Sequence, residues 1–316
     1  MTRSPDSLAT VLLVSRLAGD GHRTLKASEY WSLPGDPGSL LGRSAADLVG
    51  DGFHADLAER IVGLLGRAVA LAFELDRYEE GGIRTVTPHD EGYPSRLRER
   101  LGDRAPAVLH LAGDPALLAG PSVGIVGSRG VSEEGAEVAS SVARRAVDGG
   151  YAVLSGAARG VDQLAMNAGW ESGGRVVGVL ADSLIRSLRQ SEVRRAVLDG
   201  STAMVTPYGP ESPFSVGNAM GRNKIVYALS SVTVVVASDV DSGGTWAGAI
   251  EALRTGAGRV AVWRGTGEGP GNAAIQERGA RGLTSLDDLD VVLAEPDAVV
   301  PLVPASPSVQ ESLFAD

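Results

Sequence analysis

Three glycine-containing turns carry the residues that could perform chemistry in this chain. Gly127-Ser128-Arg129 ends one apolar run, and Ser155-Gly156-Ala157-Ala158-Arg159-Gly160 ends the next. A third turn, Gly243-Gly244-Thr245, follows the β-branched run 232–237. Backbone N–H groups at the start of a helix, together with a guanidinium group, form a favourable site for a phosphate or another anion. The turns therefore predict an anion-binding site; the alternative is that the glycines only form tight turns and the arginines face solvent.

Further polar residues lie close to the ends of predicted elements. Arg222-Asn223-Lys224 stands just before a predicted helix over 225–229. Positive charge is unfavourable at a helix N-terminus, so this placement predicts an anion there, the alternative being a solvated loop. Arg175 precedes the apolar run 176–180 and either reaches a phosphate or extends along the strand edge. Arg175, Arg222, Asn223 and Lys224 are therefore further candidates for phosphate binding.

The elements that must position these residues alternate between short apolar runs and amphipathic segments. Because parallel strands are joined by helices, this alternation predicts an α/β fold with a doubly wound, mostly parallel, Rossmann-like sheet. The glycine turns follow the strands, so they should meet at the carboxyl edge of the sheet, where such sheets bind ligands. The predicted strands are 151–154, 176–180, 203–206, 232–237 and 260–263, and the predicted helices are 132–148, 163–171, 191–198 and 246–254.

The sequence divides into three parts. Residues 1–82 predict a helical accessory domain that ends at Gly81-Gly82, with a long periodic segment over 56–78. That segment places Ile61, Leu64, Leu65, Val69 and Phe73 on one face. Residues 83–294 form the Rossmann-like domain, and 295–316 are a proline-rich linker with a C-terminal peptide, predicted to be a flexible tail.

Composition excludes several classes of function. The chain has 316 residues and no cysteine, so neither a disulfide framework nor a thiolate metal site can form, and its 4 histidines are scattered. We therefore expect no metal and no cofactor. No run of about 20 apolar residues and no signal peptide is present, so we expect no membrane span and a cytoplasmic location. The net charge of −10 disfavours a basic surface overall but leaves room for a local basic pocket. Aromatic residues make up only 4%, and Phe214 and Tyr208 are the nearest candidates for base stacking.

The first glycine turn, the second turn extended to Asp162, and the segment Gly221-Arg222-Asn223-Lys224-Ile225-Val226, in this order, resemble the DprA/Smf family of DNA-processing proteins. The resemblance covers roughly residues 85–263. It implies a protein that binds single-stranded DNA and acts with a recombinase in recombination, repair or DNA uptake; a homodimer is also compatible with it. In this reading Arg129, Arg159, Arg222 and Lys224 contact phosphates, while Asn223 holds the loop or a base. The segment 243–248 departs from the family pattern and indicates a divergent branch.

An enzymatic alternative comes from the similarity of this fold to the LOG phosphoribohydrolases, whose signature is Gly-Gly-x-Gly-Thr-x-x-Glu. Here Gly243-Gly244-Thr245 is followed by a glutamate only at Glu251, almost two helical turns past the glycines. We therefore predict a solvent-facing Glu251 and favour DNA binding over catalysis. A nucleotide-binding regulator without catalytic activity is a third reading.

The last residues carry a separate motif. Gln310-Glu-Ser-Leu313-Phe314 resembles the peptide by which bacterial repair and replication proteins dock on the DNA-polymerase sliding clamp. Leu313 and Phe314 would be apolar anchors, and Gln310 would add an oriented amide hydrogen bond. Glu311 departs from the usual leucine, and the alternative is that the two anchors pack on this chain's own domain.

Overall fold

The computed structural model describes residues 3–16 and 21–296. The predicted flexible tail falls outside these residues except for its first two positions. The clamp-like residues Gln310, Leu313 and Phe314 also lie outside them.

Fifteen α-helices and nine β-strands form in the described residues. The helices are α1 Pro5–Val14, α2 Ala27–Trp31, α3 Ala45–Gly50, α4 Ala55–Leu65, α5 Ala68–Glu80, α6 Ser95–Leu101, α7 Ala116–Ala119, α8 Glu133–Asp148, α9 Val161–Glu171, α10 Leu184–Leu188, α11 Ser191–Leu198, α12 Val216–Leu229, α13 Gly243–Thr255, α14 Asn272–Glu277 and α15 Leu286–Ala294. The strands are β1 Arg84–Val86, β2 Leu109–Ala112, β3 Ser122–Val126, β4 Ala152–Ser155, β5 Val176–Val179, β6 Thr202–Thr206, β7 Val232–Val235, β8 Val260–Trp263 and β9 Arg281–Leu283.

All nine strands of the described chain join one sheet in the order β1-β2-β6-β5-β4-β3-β7-β8-β9. The pairings β1–β2 and β2–β6 are antiparallel and the rest are parallel, which confirms the predicted mostly parallel sheet. From β3 the chain proceeds outward through β4, β5 and β6, and then returns to place β7 on the other side of β3. The strand order therefore reverses between β3 and β7, and the crevice at this point is where doubly wound sheets bind ligands.

Helices cover both faces of the sheet because the central strands are apolar on both sides. β3, β4, β5 and β7 are buried along their whole length. The start of α8 agrees with the sequence prediction, since the Ser132 hydroxyl accepts a hydrogen bond from the Gly135 N–H. Its apolar stripe, which includes Val142 and Ala146, is fully buried against the sheet. Short caps and apolar stripes thus fix the elements that bring the glycine turns to one edge.

The N-terminal helices differ from the prediction at residues 56–78. Two helices form there, α4 and α5, separated at Gly66 and Arg67. Arg67 is buried, and its guanidinium donates to the carbonyls of Leu12, in the last turn of α1, and of Ser15, just after the helix. The predicted common face is wrong for Val69 and Phe73, which are each 73% exposed. The break reorients the second helix, so the periodicity does not continue across it.

A second difference concerns α12. The sequence placed Arg222, Asn223 and Lys224 before a helix that starts at 225, but α12 begins at Val216 with Ser215 as its N-cap. The three residues therefore lie in the middle of a helix, and the argument from charge at a helix start does not apply to them.

No helix of the described residues is both long and apolar enough to cross a bilayer.

Candidate nucleic-acid interface

A pocket of about 410 Å³ opens at the carboxyl edge between β3 and β7. All three predicted turns contribute to its walls together with α12, the second turn only through Ala158. The pocket lies where the strand order reverses, which is where doubly wound sheets bind ligands. Its volume is in the range of small-ligand or nucleotide sites. Its lining residues are Val126, Gly127, Ser128, Arg129, Ala158, Asp162, Phe214, Val216, Ala219, Met220, Arg222, Asn223, Val226, Tyr227, Ser238, Asp239, Ser242, Gly243, Gly244 and Thr245.

The mouth of the pocket combines a cation with exposed apolar groups. Arg129 is exposed, and its guanidinium carbon lies 5.6 Å from the centre of the Phe214 ring. Phe214 is 49% exposed and the neighbouring Val216 is 74% exposed. An exposed aromatic ring beside a guanidinium can stack on a base while the cation contacts a phosphate.

The first turn of α13 forms one wall. Ser242 is its N-cap but makes no side-chain capping hydrogen bond. Gly243 has a φ of 80°, a left-handed conformation that a glycine adopts without strain. The Asn223 amide donates to the Gly244 carbonyl over 3.0 Å and fixes the turn against α12. The positive end of the α13 dipole therefore faces the pocket without a side-chain cap, as at an anion site.

The floor of the pocket contains a buried ion pair. The Arg222 guanidinium lies 3.7 Å from the Asp162 carboxylate and donates to the Val179 carbonyl over 3.1 Å. Burial raises the pKa of Asp162, while Arg222 and backbone N–H groups oppose that shift. Gly156 is required here because a Cβ at that position would come within 1.3 Å of the Arg222 guanidinium. Arg222, predicted as a phosphate contact, is only 6% exposed and lines the pocket from below.

Two further polar atoms of the floor are buried and have no hydrogen-bond partner among the described residues. They are the hydroxyl of Tyr227 and the Nε of Arg222. Burial raises the pKa of Tyr227, so its hydroxyl stays protonated. Both atoms have almost no accessible surface, so they lie beneath the surface of the pocket.

Other predicted residues have structural positions in the turns. Ser155 is buried, and its hydroxyl donates to the Ile125 carbonyl over 2.6 Å. Gly160 has a φ of 80°, and a Cβ there would come 2.4 Å from the Ser128 carbonyl. Arg159 is exposed at the start of α9 but does not line the pocket. The second turn thus supports the first, and Arg159 remains a solvent-facing cation near the same edge.

The structure does not bring Arg175 and Lys224 to the pocket. Arg175 precedes β5, at the opposite edge of the sheet, and donates to the Gly150 carbonyl over 2.8 Å. Lys224 lies on another side of α12, where its ammonium is 3.2 Å from the Glu251 carboxylate. Glu251 also pairs with Arg104 and is only 25% exposed, so the prediction that it faces solvent is wrong.

Several lining residues were not predicted as site residues. Asp162 follows the second glycine turn, and a carboxylate two residues after Gly160 was a signal that it faces the same edge. Ser238 and Asp239 follow β7, and their loop position was a similar signal. Tyr227 stands in an apolar run of α12, and nothing in its sequence context distinguishes it from a core residue. The predicted stacking candidate Tyr208 donates from its hydroxyl to the Asn218 carbonyl and does not line the pocket.

Comparison with known proteins gives consistent matches to one family. The family model described as DNA recombination-mediator protein A matches residues 84–292. DNA processing protein DprA of Bacillus subtilis is 28% identical over 226 residues, covering 70% of this chain and 75% of that protein. Protein Smf of Synechocystis is 28% identical over 200 residues, which cover 61% of this chain. The chain spans about half (49%) of the length of that relative.

Two solved structures share the fold. The crystal structure of DprA from Streptococcus pneumoniae has a TM-score of 0.66 at 21% identity, covering 92% of this chain and 98% of that one. DNA processing protein A from Helicobacter pylori, described for its single-stranded DNA binding mode, has a TM-score of 0.55 at 21% identity. That match covers 66% of this chain and 95% of the other.

Proposed function

The chain belongs to the DNA recombination-mediator protein A family, and we propose on that basis that it binds single-stranded DNA at the pocket between β3 and β7 and acts in recombination, repair or uptake of DNA. The observation that carries the proposal is the mouth of this pocket. There Arg129 and Phe214 lie side by side, and α13 points its N-terminus inward. A phosphate between Arg129 and Gly243 would receive charge-assisted hydrogen bonds, and Phe214 would stack on an adjacent base.

The test compares two exposed arginines at opposite edges of the sheet. Arg129→Ala should weaken binding of a labelled oligothymidylate at least about tenfold, since hydrogen bonds to charged groups contribute about 1.5–3 kcal/mol. Arg175→Ala removes the same charge from the amino edge and should leave affinity within about twofold of the parent. Fluorescence anisotropy at low salt measures both. Equal losses in the two variants would refute the pocket as the binding site and indicate nonspecific charge attraction.

Binding partners follow from the family resemblance as further proposals. In a cytoplasmic setting, the DNA-bound chain would hand its strand to a recombinase, and two copies would associate as a homodimer. Light scattering of the purified chain, with and without oligonucleotide, measures the association. A mass of one chain under both conditions would rule out the dimer.

The C-terminal peptide is proposed to dock on the sliding clamp. Gln310, Leu313 and Phe314 provide the amide and the two apolar anchors on a proline-spaced segment. Because a short peptide must lose conformational freedom on binding, its affinity should be micromolar. Titration of the clamp should detect the intact chain and not Leu313→Ala/Phe314→Ala. Glu311→Ala, at the position that departs from the motif, is the matched control and should retain binding. Equal affinity of the double variant and the parent would exclude docking through these anchors.

A further inference from the structure

The pocket between β3 and β7 is lined by as many anionic as cationic side chains. Its charged lining residues are Arg129, Asp162, Arg222 and Asp239. Arg222 and Asp162 form the buried pair in the floor, so their charges compensate each other. The other two, Arg129 and Asp239, are both exposed. A phosphate would bind more tightly in a wall without an exposed carboxylate, so Asp239 indicates selectivity rather than maximal affinity.

The backbone at Asp239 is fixed by the segment before α14. The Ser238 N–H donates to the Asn272 side-chain oxygen over 3.0 Å, and the Asn272 amide donates to the Val236 carbonyl over 2.8 Å. Asn272 is fully buried. Gly271 packs directly against the next peptide group, since a Cβ there would come 2.2 Å from the Asp239 carbonyl oxygen. Asp239 therefore has a defined position in the wall of the pocket.

The same segment is joined to the turn that carries Arg129. The Ser128 N–H donates to the Ala237 carbonyl over 2.8 Å, and both Arg129 and Asp239 lie within two residues of this hydrogen bond. No ion pair joins the Asp239 carboxylate to a cation in the described part of the chain. Its charge is therefore not compensated by a partner and acts on any anion that enters the pocket.

The balance of charge at the mouth favours a phosphate group with a single negative charge. Arg129 contributes one positive charge and the first turn of α13 about half a charge, whereas Asp239 contributes one negative charge. A phosphodiester carries one negative charge, but a terminal phosphate carries about 1.5 to 2 at neutral pH. The cost of taking an ion out of water rises with the square of its charge, while its attraction to fixed charges rises only linearly. The weak positive field left beside Asp239 therefore compensates a diester better than a monoester.

We propose that Asp239 makes this pocket selective for phosphodiesters over phosphate monoesters, so that single-stranded DNA enters it and free nucleotides are disfavoured. The inference rests on the DNA-binding function proposed above and names the class of phosphate that the site accepts. A pocket of about 410 Å³ has room for one nucleotide unit, so size alone does not exclude free nucleotides. Asp239 also lowers the affinity for DNA, but by less, because a diester carries the smaller charge.

The test removes one charge and compares two esters of the same nucleotide. Asp239→Asn neutralises the carboxylate and should leave the thermal unfolding temperature unchanged, because no ion pair within the described chain is lost. Asp199→Asn makes the same change at an exposed residue after α11, at the amino edge of the sheet. Competition with a labelled oligothymidylate measures the affinities of thymidine 5′-monophosphate and of its methyl ester, which carries a single charge. Divalent cations are left out because they bind terminal phosphates.

Asp239→Asn should bind the oligothymidylate and the methyl ester about two- to fivefold more tightly than the parent, the effect expected of one exposed charge. Its affinity for the monophosphate should rise by about the square of that factor, since the repulsion that is removed doubles with the charge of the ligand. Asp199→Asn should bind all three ligands like the parent. Equal gains for the monophosphate and the methyl ester, or no gain for the monophosphate, would overturn the proposal.

Binding of the oligothymidylate to the parent separates this inference from the proposed function. If the parent binds it and Asp239→Asn gains equally for both esters, the selectivity fails while DNA binding stands. If the parent does not bind it, the proposed function fails, and calorimetry then measures the two esters directly on both chains. A gain for the monophosphate no larger than that for the methyl ester would then overturn the selectivity as well.

Discussion

The structural role of Arg222 differs from the role that its sequence context predicted. Its place in a polar segment predicted an exposed phosphate contact. In the folded chain its guanidinium is buried, 3.7 Å from Asp162, and donates to the Val179 carbonyl. Such a pair depends on residues 60 positions apart, so local sequence gives no sign of it. A contact between Arg222 and a phosphate stays a prediction. It would require the phosphate to enter the pocket, because Arg222 is not exposed elsewhere.

Removing this guanidinium should destabilise the fold. Arg222→Met leaves the Asp162 carboxylate buried without its cation, which costs about 3–5 kcal/mol in comparable pairs. Adding Asp162→Asn removes the uncompensated charge, so the double variant should be more stable than Arg222→Met alone. Urea unfolding measures all three chains. A single variant as stable as the parent would mean that the pair does not form.

Glu251 should have no catalytic role. Its carboxylate is held by Arg104 and Lys224, and it does not line the pocket beside the glycine turn. A carboxylate that stabilises an oxocarbenium-like transition state must lie against the sugar. We therefore expect no free base from nucleoside monophosphates above a blank without protein, measured by chromatography. Base release that Glu251→Ala abolishes would instead support the phosphoribohydrolase reading.

At the scale of elements, predictions held where the helical apolar pattern ran without interruption, and for α8 a capping residue also marked the start. The predicted start at Ser132 is confirmed as the N-cap of α8, and the run 191–198 is α11 without change. The start of α12 was missed because Gly217, Asn218 and Gly221 are poor helix formers, so the segment resembled a loop. Tertiary contacts override this propensity. One of them is the hydrogen bond that the Tyr208 hydroxyl donates to the Asn218 carbonyl in the first turn of the helix.

The antiparallel pair β1–β2 contains a histidine that should make stability depend on pH. His110 lies opposite Thr85 in the register, and its Nδ1 is 2.9 Å from the Thr85 hydroxyl. Burial, with a smaller contribution from Arg3, lowers the pKa of His110 to about 3. The unfolded chain, with a pKa of about 6.5, therefore binds more protons between these two values.

Stability should accordingly fall as the pH falls from about 6.5 towards 3, with a slope from this residue of up to about 1.4 kcal/mol per pH unit. His110→Gln removes the titrating group and should flatten the profile in this window relative to the parent. Urea unfolding at a series of pH values measures the difference. Parallel profiles for the two chains would show that His110 is not buried in its neutral form.

For the molecule as a whole, the sequence sufficed for the fold class and for the edge of the sheet at which the site lies. Alternating runs and glycine turns are local signals, and the βα order fixes which edge the turns share. The order of the strands and the depth of the pocket depend on long-range packing, which such signals do not contain. The placement of Arg175, by contrast, could have been predicted from the sequence, because a residue that precedes a parallel strand lies at the edge opposite to the turns that follow the strands.

The salt dependence of DNA binding should be shallow for a protein with a net charge of −10. Among the predicted cations near the carboxyl edge, Arg129 and Arg159 are exposed, whereas Arg222 and Lys224 are paired with carboxylates. Two phosphates neutralised on a single strand give a slope of about −1.4 in log affinity against log salt. Affinity should then fall only about sevenfold between about 50 and 200 mM salt.

Removing one contact with Arg129→Ala should reduce the slope by about 0.7. Anisotropy titrations at four salt concentrations measure both slopes. A parent slope steeper than about −4 would require a basic surface outside this pocket and would contradict the local site.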